Sequence, residues 1–437
     1  MHRSEGKHHK EECHQFMSKP SAARNRVQRA AERRCAVTLS DIQQANRRIR
    51  DAISVSPCAY SHALSKASGT PVFLKLENLQ RTGAFKERGA LNKLLTLTAE
   101  ERQRGLVTAS AGNHAQAVAY HAGRLGVQAE IWMPLTTPLV KVSATQSYGA
   151  KVVLHGTNFD ESFQAATDSC RERGATFIHP FDDENVIAGQ GTIALEMLEQ
   201  LPELDLVITS VGGGGLISGL AVALKELKPA IRVIGVQSSL IPSMLAAARE
   251  GHPVTLAAVS TVADGIAVRS AGAKTFPIVQ KYVDDLVVVD EEEIAAAILF
   301  LLEREKMLTE GAGACGVAAL LNSKVPVEGK TTAVVVSGGN LDVSLLSRII
   351  ERGLAKAGRL IRLRIPLPDH PGALHRLTKV IADQRINIVE TDYHRTFYGA
   401  RLGHTVIDLT MEARDLKHAA DLCAALTTAG YNFERIM

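Results

Sequence analysis

The sequence predicts an α/β protein with two lobes, each a parallel sheet flanked by helices, followed by a smaller α+β domain. Between residues 105 and 236, short apolar strands alternate with helical patterns, which is typical of parallel sheets covered by helices. From Leu360 onward, apolar and charged residues alternate as in half-buried strands. A chain of 437 residues has room for two or three such domains.

The first predicted element is a helix over residues 39–53, capped by Ser40 or Asp41. The small lobe spans about residues 105–183, with helices over 113–125, 140–148 and 159–173. The larger lobe continues with a helix over 189–201, a strand over 205–210, a helix over 216–227 and a strand over 232–236. Two lobes imply a cleft, which is a common place for a ligand site.

The last part of the chain predicts a separate unit. A polar helix over residues 348–357 is interpreted as a linker, which gives boundaries of 37–347, 348–359 and 360–437. Beyond it we predict strand 360–367, helix 373–384, strands 386–396 and 403–411, helix 414–429 and strand 432–436. This order is βαββαβ.

Composition narrows the class of protein. No run approaches the ~20 apolar residues that span a bilayer, so we expect no membrane segment. The six cysteines are dispersed without CxxC pairs, which gives no zinc or disulfide signal and favours a reducing cytoplasm. The net charge of +4 is concentrated in residues 1–36. That segment is interpreted as a basic, disordered tail, with a targeting peptide, a nucleic-acid arm or a start at Met17 as alternatives.

Lys86 is the first candidate for chemistry. It lies in Thr-Gly-Ala-Phe-Lys-Glu-Arg-Gly, after the apolar strand 72–76, beside Phe85. A desolvated lysine has a lowered pKa and becomes a nucleophile that forms Schiff bases with aldehydes such as pyridoxal phosphate. Taken alone, Lys86 is better explained as an ordinary solvated residue at a turn or helix start.

Three glycine-containing segments follow apolar strands. Residues Gly212, Gly213, Gly214 and Gly215 open a helix, where backbone N–H groups can hold a phosphate; the alternative is a plain turn. Ser110-Ala111-Gly112-Asn113-His114 opens another helix and suits a carboxylate, or serves only as an N-cap. Ser337 ends a buried strand, where it can bond a ring atom or merely cap the strand.

Together, and in this order, the four segments resemble the fold-type II pyridoxal-phosphate enzymes, most closely the threonine and serine dehydratases, over residues 42–346. The resemblance implies pyridoxal 5'-phosphate as cofactor and Lys86 as its Schiff-base lysine. It implies these cofactor contacts: Phe85 at the ring, Gly212, Gly213, Gly214, Gly215 and Leu216 at the phosphate, Asn113 at the 3'-oxygen, Ser337 at the pyridine nitrogen, and Glu310 near the ring. Ser110, Ala111, Asn113 and His114 would bind the substrate carboxylate.

The resemblance also implies the reaction. It is the deaminating dehydration of L-threonine to 2-oxobutanoate and ammonia, and of L-serine to pyruvate, with a place in isoleucine biosynthesis. Lys86 would remove the Cα proton. Ala111 stands where related serine racemases carry a proton-donating serine, which favours elimination over racemisation. A serine or other hydroxy-amino-acid dehydratase, a β-replacement enzyme, a racemase and an inactive amino-acid sensor remain alternatives.

The C-terminal unit resembles an ACT domain, a small-molecule regulatory module. The resemblance implies an amino-acid effector, isoleucine or valine, at the turn and helix start that contain Asp369, Gly372, Ala373 and Leu374. Pro371-Gly372 as a bare turn is the alternative. The resemblance to an ACT domain further implies a homo-oligomer, either a dimer or a tetramer. We expect no nucleic-acid partner and no metal.

Overall fold

The computed structural model of the chain describes residues 37–395 and 401–436. The strands in this part are β1 (Cys58–Tyr60), β2 (Val72–Leu76), β3 (Leu106–Ala109), β4 (Ala129–Met133), β5 (Lys151–Leu154), β6 (Thr176–Phe177), β7 (Leu206–Ser210), β8 (Arg232–Ser238), β9 (Asp285–Val289), β10 (Thr332–Val336), β11 (Leu360–Pro368), β12 (Asn387–His394), β13 (His404–Glu412) and β14 (Glu434–Ile436).

The α-helices in the same part are α1 (Leu39–Ile49), α2 (His62–Ser68), α3 (Lys86–Leu95), α4 (Ala99–Arg104), α5 (Asn113–Arg124), α6 (Leu139–Ser147), α7 (Phe159–Arg173), α8 (Glu184–Gln200), α9 (Gly215–Leu227), α10 (Ser243–Glu250), α11 (Thr275–Tyr282), α12 (Glu291–Phe300), α13 (Gly311–Leu321), α14 (Val343–Lys356), α15 (Ala373–Asp383) and α16 (Leu416–Thr428). Turns of 3-10 helix lie at Glu77–Leu79 and Asp264–Ile266, and a π-helical turn lies at Leu301–Glu305.

The larger lobe is built on a six-stranded sheet in the order β1-β2-β10-β7-β8-β9. β1 pairs antiparallel with β2, and the other neighbours are parallel. Successive residues of β7 enter two different cores: Val207 packs with α8 and α9, and Ile208 packs with α12 and α13. Helices thus cover both faces, which explains why the strands are continuously apolar. Because β7 and β10 are parallel neighbours, the residues after both strands meet at one edge of the sheet.

The small lobe carries a parallel four-stranded sheet in the order β5-β4-β3-β6. Leu106 and Ile131 pack under α5, and Val107 packs under α7 on the other face. The sheet lies within the predicted span of 105–183. Two parallel-sheet lobes are therefore confirmed.

The C-terminal domain has an antiparallel sheet in the order β12-β13-β11-β14. Its elements follow one another as βαββαβ, as predicted. Along β11, Ile361, Leu363, Ile365 and Leu367 are buried against α15 and α16 in a core of their own. The strict alternation of this strand reflects a sheet that buries one face.

Some predicted boundaries differ from the structure. Helix α1 is capped by Thr38, which forms a capping box with Asp41, and it ends at Ile49 rather than residue 53. Helix α8 begins at Glu184, capped by Asp183, five residues before its predicted start. The helix predicted over 348–357 begins at Val343, because Leu345, Leu346 and Ile349 pack into the core of the larger lobe.

Two predictions concern residues outside those described: the basic tail over residues 1–36 and the end of a strand at residue 396. Within the described ranges, no helix combines the length and apolar character needed to cross a membrane.

Candidate active site

The loop that carries Lys86 is pinned to the end of β10. The Phe85 N–H donates to the Ser337 carbonyl at 3.0 Å, and the Gly339 N–H donates to the Gly83 carbonyl at 2.9 Å. Ala84 bridges Gly338 between these two bonds. Helix α3 then begins at Lys86, so the lysine is fixed between a short ladder and a helix start.

The Lys86 amine is desolvated and is held by a carbonyl rather than by a carboxylate. Its Nζ donates to the Pro180 carbonyl at 2.8 Å and lies 5.2 Å from the centre of the Phe85 ring. Burial lowers the pKa of Lys86 to about 8, and the Glu310 carboxylate opposes this only in part. An appreciable fraction of the amine is therefore neutral, as a nucleophile or base requires.

The glycine loop presents unpaired backbone donors at the start of α9. Among the described residues, no protein group accepts a hydrogen bond from the N–H groups of residues 212–216. Gly214 has a φ of 98°, and a Cβ on Gly213 would lie 2.3 Å from the Phe181 ring. Leu216 buries its side chain in the core of the larger lobe, so it offers only its N–H. These free donors at a helix N-terminus form an anion cradle.

The start of α5 forms a second set of donors. The Ser110 Oγ accepts the Gly112 N–H at 3.2 Å, and Ala111 packs against the core of the small lobe. Asn113 reaches into the cleft: its Nδ2 donates to Glu310 Oε1 at 2.7 Å, and its Oδ1 accepts from Asn340 at 2.8 Å. The amide of Asn113 thereby links the two lobes.

The His114 side chain turns away from these donors. Its Nε2 lies 3.0 Å from the Ile178 carbonyl, which can only accept, so Nε2 carries the proton. Burial lowers the pKa of His114 to about 3, and the charge on Lys86 acts in the same direction. The imidazole is neutral and cannot donate from Nδ1, so His114 can serve a carboxylate only through its backbone N–H.

Ser337 and Glu310 complete the site. Ser337 is 1% exposed, and its Oγ lies 3.3 Å from the donating Oγ of Ser210 at the end of neighbouring β7. Glu310 precedes α13 and is 4% exposed. Burial, helped by the charge on Asp264, raises the pKa of Glu310 to about 7.

Comparison with known proteins identifies the family of the chain. A family model described as "Pyridoxal-phosphate dependent enzyme" matches residues 49–338. The chain belongs to this family of pyridoxal-phosphate dependent enzymes. The predicted family and cofactor are thus confirmed, and with them a two-lobed fold of the fold-type II class.

Relatives place this pyridoxal-phosphate dependent enzyme more narrowly. It is 48% identical over 395 residues to "L-threonine ammonia-lyase" of Thermotoga maritima, covering 90% of this chain and 98% of that one. It resembles the processed form of threonine deaminase isoform 2 from Solanum lycopersicum (TM-score 0.68, 39% identity, 72% of this chain and 91% of that one). It also resembles maize serine racemase (TM-score 0.69, 35% identity, 74% and 99%).

The residues present fit pyridoxal phosphate. The unpaired N–H groups of residues 212–216 suit its phosphate, and the desolvated Lys86 amine suits its aldehyde. The Ser337 hydroxyl accepts from Ser210, which leaves its own proton free to donate to a ring nitrogen.

Sequence reasoning missed several residues of the site. Pro180 holds the Lys86 amine, Phe181 packs on the glycine loop, and Thr275 Oγ1 donates to the Gly213 carbonyl at 2.5 Å. Ser210 pairs with Ser337, and Asn340 positions Asn113. The segment 179–182 follows β6 at a strand end, the same signal that indicated Ser337, and could have been found by it.

The proposed effector residues lie elsewhere, in the C-terminal domain. Gly372 has a φ of 83° and precedes α15, and the Asp369 carboxylate accepts from Arg395 at 3.3 Å. Ala373 is buried and Leu374 is 40% exposed. Apart from the buried Ala373, these residues lie on an exposed turn at a helix start, and in the described part of the chain they make no contact with Lys86, Ser337 or Glu310.

Proposed function

We propose that this enzyme deaminates L-threonine to 2-oxobutanoate and ammonia, and L-serine to pyruvate. One observation carries the proposal: a desolvated lysine, an anion cradle and a neutral serine converge at one edge of the larger sheet, facing the start of α5 across the cleft. The relatives named as threonine ammonia-lyase and threonine deaminase support the choice of substrate.

Lys86 acts as the base for the Cα proton. Bound pyridoxal phosphate supplies the electron sink that makes this proton acidic. With a pKa near 8, the amine is partly neutral at cellular pH and can take a proton without first losing one to solvent. The Pro180 carbonyl then accepts from the ammonium that forms, which holds Nζ in place.

Ser337 biases the reaction toward loss of the β-hydroxyl. A hydroxyl cannot protonate a pyridine nitrogen as a carboxylic acid would, so a ring held by Ser337 stays neutral. A neutral ring delocalises carbanion charge less well, and prompt departure of a β leaving group is favoured. Ser210 fixes the direction of the Ser337 proton, because it donates to the Ser337 oxygen.

The start of α5 orients the substrate. The N–H groups at this helix terminus suit a carboxylate, with Ser110 held in place by its bond to the Gly112 N–H. When the carboxylate and the amine of the substrate are both held, its Cα–H bond points toward Lys86. Elimination from threonine needs this alignment, since the breaking bond must overlap the acceptor orbitals.

Racemisation is the second candidate, supported by the likeness to maize serine racemase. It needs a proton donor on the face of Cα opposite Lys86. Ala111 supplies none at the position that the family resemblance implies, which favours elimination.

We also propose that residues 360–437 form an ACT-like regulatory domain, joined by residues 348–359 to a catalytic part spanning 37–347. The βαββαβ order and the separate core support an independent unit. Isoleucine or valine is the proposed effector, bound near Asp369, Gly372, Ala373 and Leu374, in a homo-oligomer.

A steady-state assay tests the activity. Purified protein with added pyridoxal phosphate should release 2-oxobutanoate and ammonia from L-threonine in equal amounts. An inactive sensor would bind amino acids and release neither product.

A further inference from the structure

Glu310 lies at the junction of the two lobes, and charged side chains from both lobes lie near it. The 3-10 turn Asp264–Ile266 packs directly on the Glu310 carboxylate. The packing is close: a Cβ added to Gly265 would lie 3.4 Å from Glu310 Oε1. The larger lobe thus supplies one negative neighbour, Asp264. Across the cleft, the small lobe supplies Asn113, which donates to the same oxygen.

A lysine of the small lobe reaches this turn. The Nζ of Lys141, on α6, donates to Asp264 Oδ2 at 2.8 Å. The Lys141 side chain is 21% exposed and the Asp264 side chain 60% exposed, so this ion pair contributes little to the free energy of folding. The effect of these two charges on the protonation of buried Glu310 is larger, since a buried carboxyl is poorly screened from nearby charge.

We propose that Lys141 is a positioning residue: by pairing with Asp264 across the cleft, it offsets the negative charge of this carboxylate beside Glu310 and so governs whether Glu310 holds a proton. The proposal rests on the proposed function and on the family resemblance, which implies that Glu310 lies near the cofactor ring. Because Lys141 and Asp264 belong to different lobes, the charge on Glu310 then depends on how the lobes meet.

The charges that face Glu310 have opposing effects. Asp264 raises the Glu310 pKa, whereas Lys141 and Lys86 lower it, as does the hydrogen bond from Asn113. On its own helix the nearest titrating group is Cys315, whose thiol is kept protonated by burial. With a Glu310 pKa of about 7, modest changes in these charges alter its protonation at cellular pH.

A second ion pair between the lobes provides a matched control. Arg269 of the larger lobe pairs with Asp160 at the start of α7, while its Nε donates to the Leu256 carbonyl at 2.8 Å. Removing this pair weakens contact between the lobes without removing a charge from the turn that covers Glu310. A variant without the Arg269–Asp160 pair therefore distinguishes an effect of weaker contact between the lobes from an effect of charge near Glu310.

The experiment follows the titration of Glu310 in the holoenzyme. The protonated carboxyl is measured by infrared difference spectroscopy, with Glu310→Gln to identify its band, and the pH profile of kcat is measured beside it. Lys141→Gln should move the Glu310 titration up by about 1 pH unit, and Asp264→Asn should move it down by a similar amount. The double variant should return close to the wild-type value, and Lys141→Arg should match wild type.

Asp160→Asn should leave the titration unchanged. The proposal is overturned if Lys141→Gln and Asp264→Asn shift it in the same direction or not at all, or if Asp160→Asn shifts it as Lys141→Gln does. The infrared titration needs no turnover. If wild-type enzyme releases no 2-oxo acid, the proposed function fails while the assignment of Lys141 is still decided.

Discussion

The two lobes and the C-terminal domain differ in the burial of the polar groups at their candidate sites. Around Lys86, Ser337 and Glu310, polar side chains are buried or half-buried and each has a defined neighbour. Around Asp369 and Gly372, the polar groups lie on an exposed turn. Buried polar groups must be paired or shifted in pKa, so they fix a chemistry. An exposed turn fixes only a backbone shape, which is why the reaction is more sharply defined than the effector.

Replacing Lys86 tests the buried side of this contrast and should have the largest effect. Lys86→Ala removes both the covalent anchor and the proposed base, so 2-oxobutanoate formation should fall by at least about 10³-fold. Borohydride reduction and mass spectrometry should no longer find cofactor on the chain. Lys93→Ala, on the same helix, should keep both properties. A Lys86→Ala enzyme that keeps its activity would remove the assignment.

Removing the C-terminal domain tests the exposed side. A chain ending at Ala357 should keep its cofactor and activity but lose its response to L-isoleucine and L-valine, which for a coupling of ~1–3 kcal/mol is a change in affinity of about 5–150-fold. In the full chain, Gly372→Val should weaken the same response, because a φ of 83° strains a branched residue. If the full-length enzyme responds to no amino acid by kinetics or binding, the regulatory role fails.

The glycine loop tests whether backbone donors hold the phosphate. A Cβ on Gly214 would lie 2.6 Å from Met244 Cε, at a φ of 98°. Gly214→Ala should therefore weaken pyridoxal phosphate binding by about tenfold, measured by equilibrium dialysis. Gly251→Ala has a similar φ of 79° with nothing within 4 Å, and should bind the cofactor normally. Equal affinities in the two folded variants would contradict the cradle.

Ala111 tests the choice of reaction and should have the smallest effect. Wild-type enzyme given L-serine should form pyruvate and negligible D-serine, measured by chiral chromatography. Ala111→Ser should produce detectable D-serine, since a hydroxyl would then face Cα. Comparable D-serine from the wild type would favour the racemase alternative.

Much of the catalytic site could be predicted because its residues belong to contiguous motifs. Lys86, Gly212–Gly215 and Ser337 each follow an apolar strand, and parallel strands bring their ends together. Pro180, in the segment after β6, carried the same strand-end signal, but the roles of Ser210 and Asn340 could not be found in this way, since they depend on contacts that only the packed lobes create. The start of α8 was missed because Asp183 caps it before the apolar pattern begins. The orientation of the His114 ring could not be predicted either, because it depends on the contact between its Nε2 and the Ile178 carbonyl.

The most direct test of the account is the fate of L-threonine in the presence of the purified holoenzyme. We predict equal release of 2-oxobutanoate and ammonia by the wild type, and none above background by Lys86→Ala. Formation of D-allo-threonine, the product of inversion at Cα, or of a β-substituted product in place of 2-oxobutanoate would contradict it, as would a folded, cofactor-loaded enzyme that leaves L-threonine unchanged.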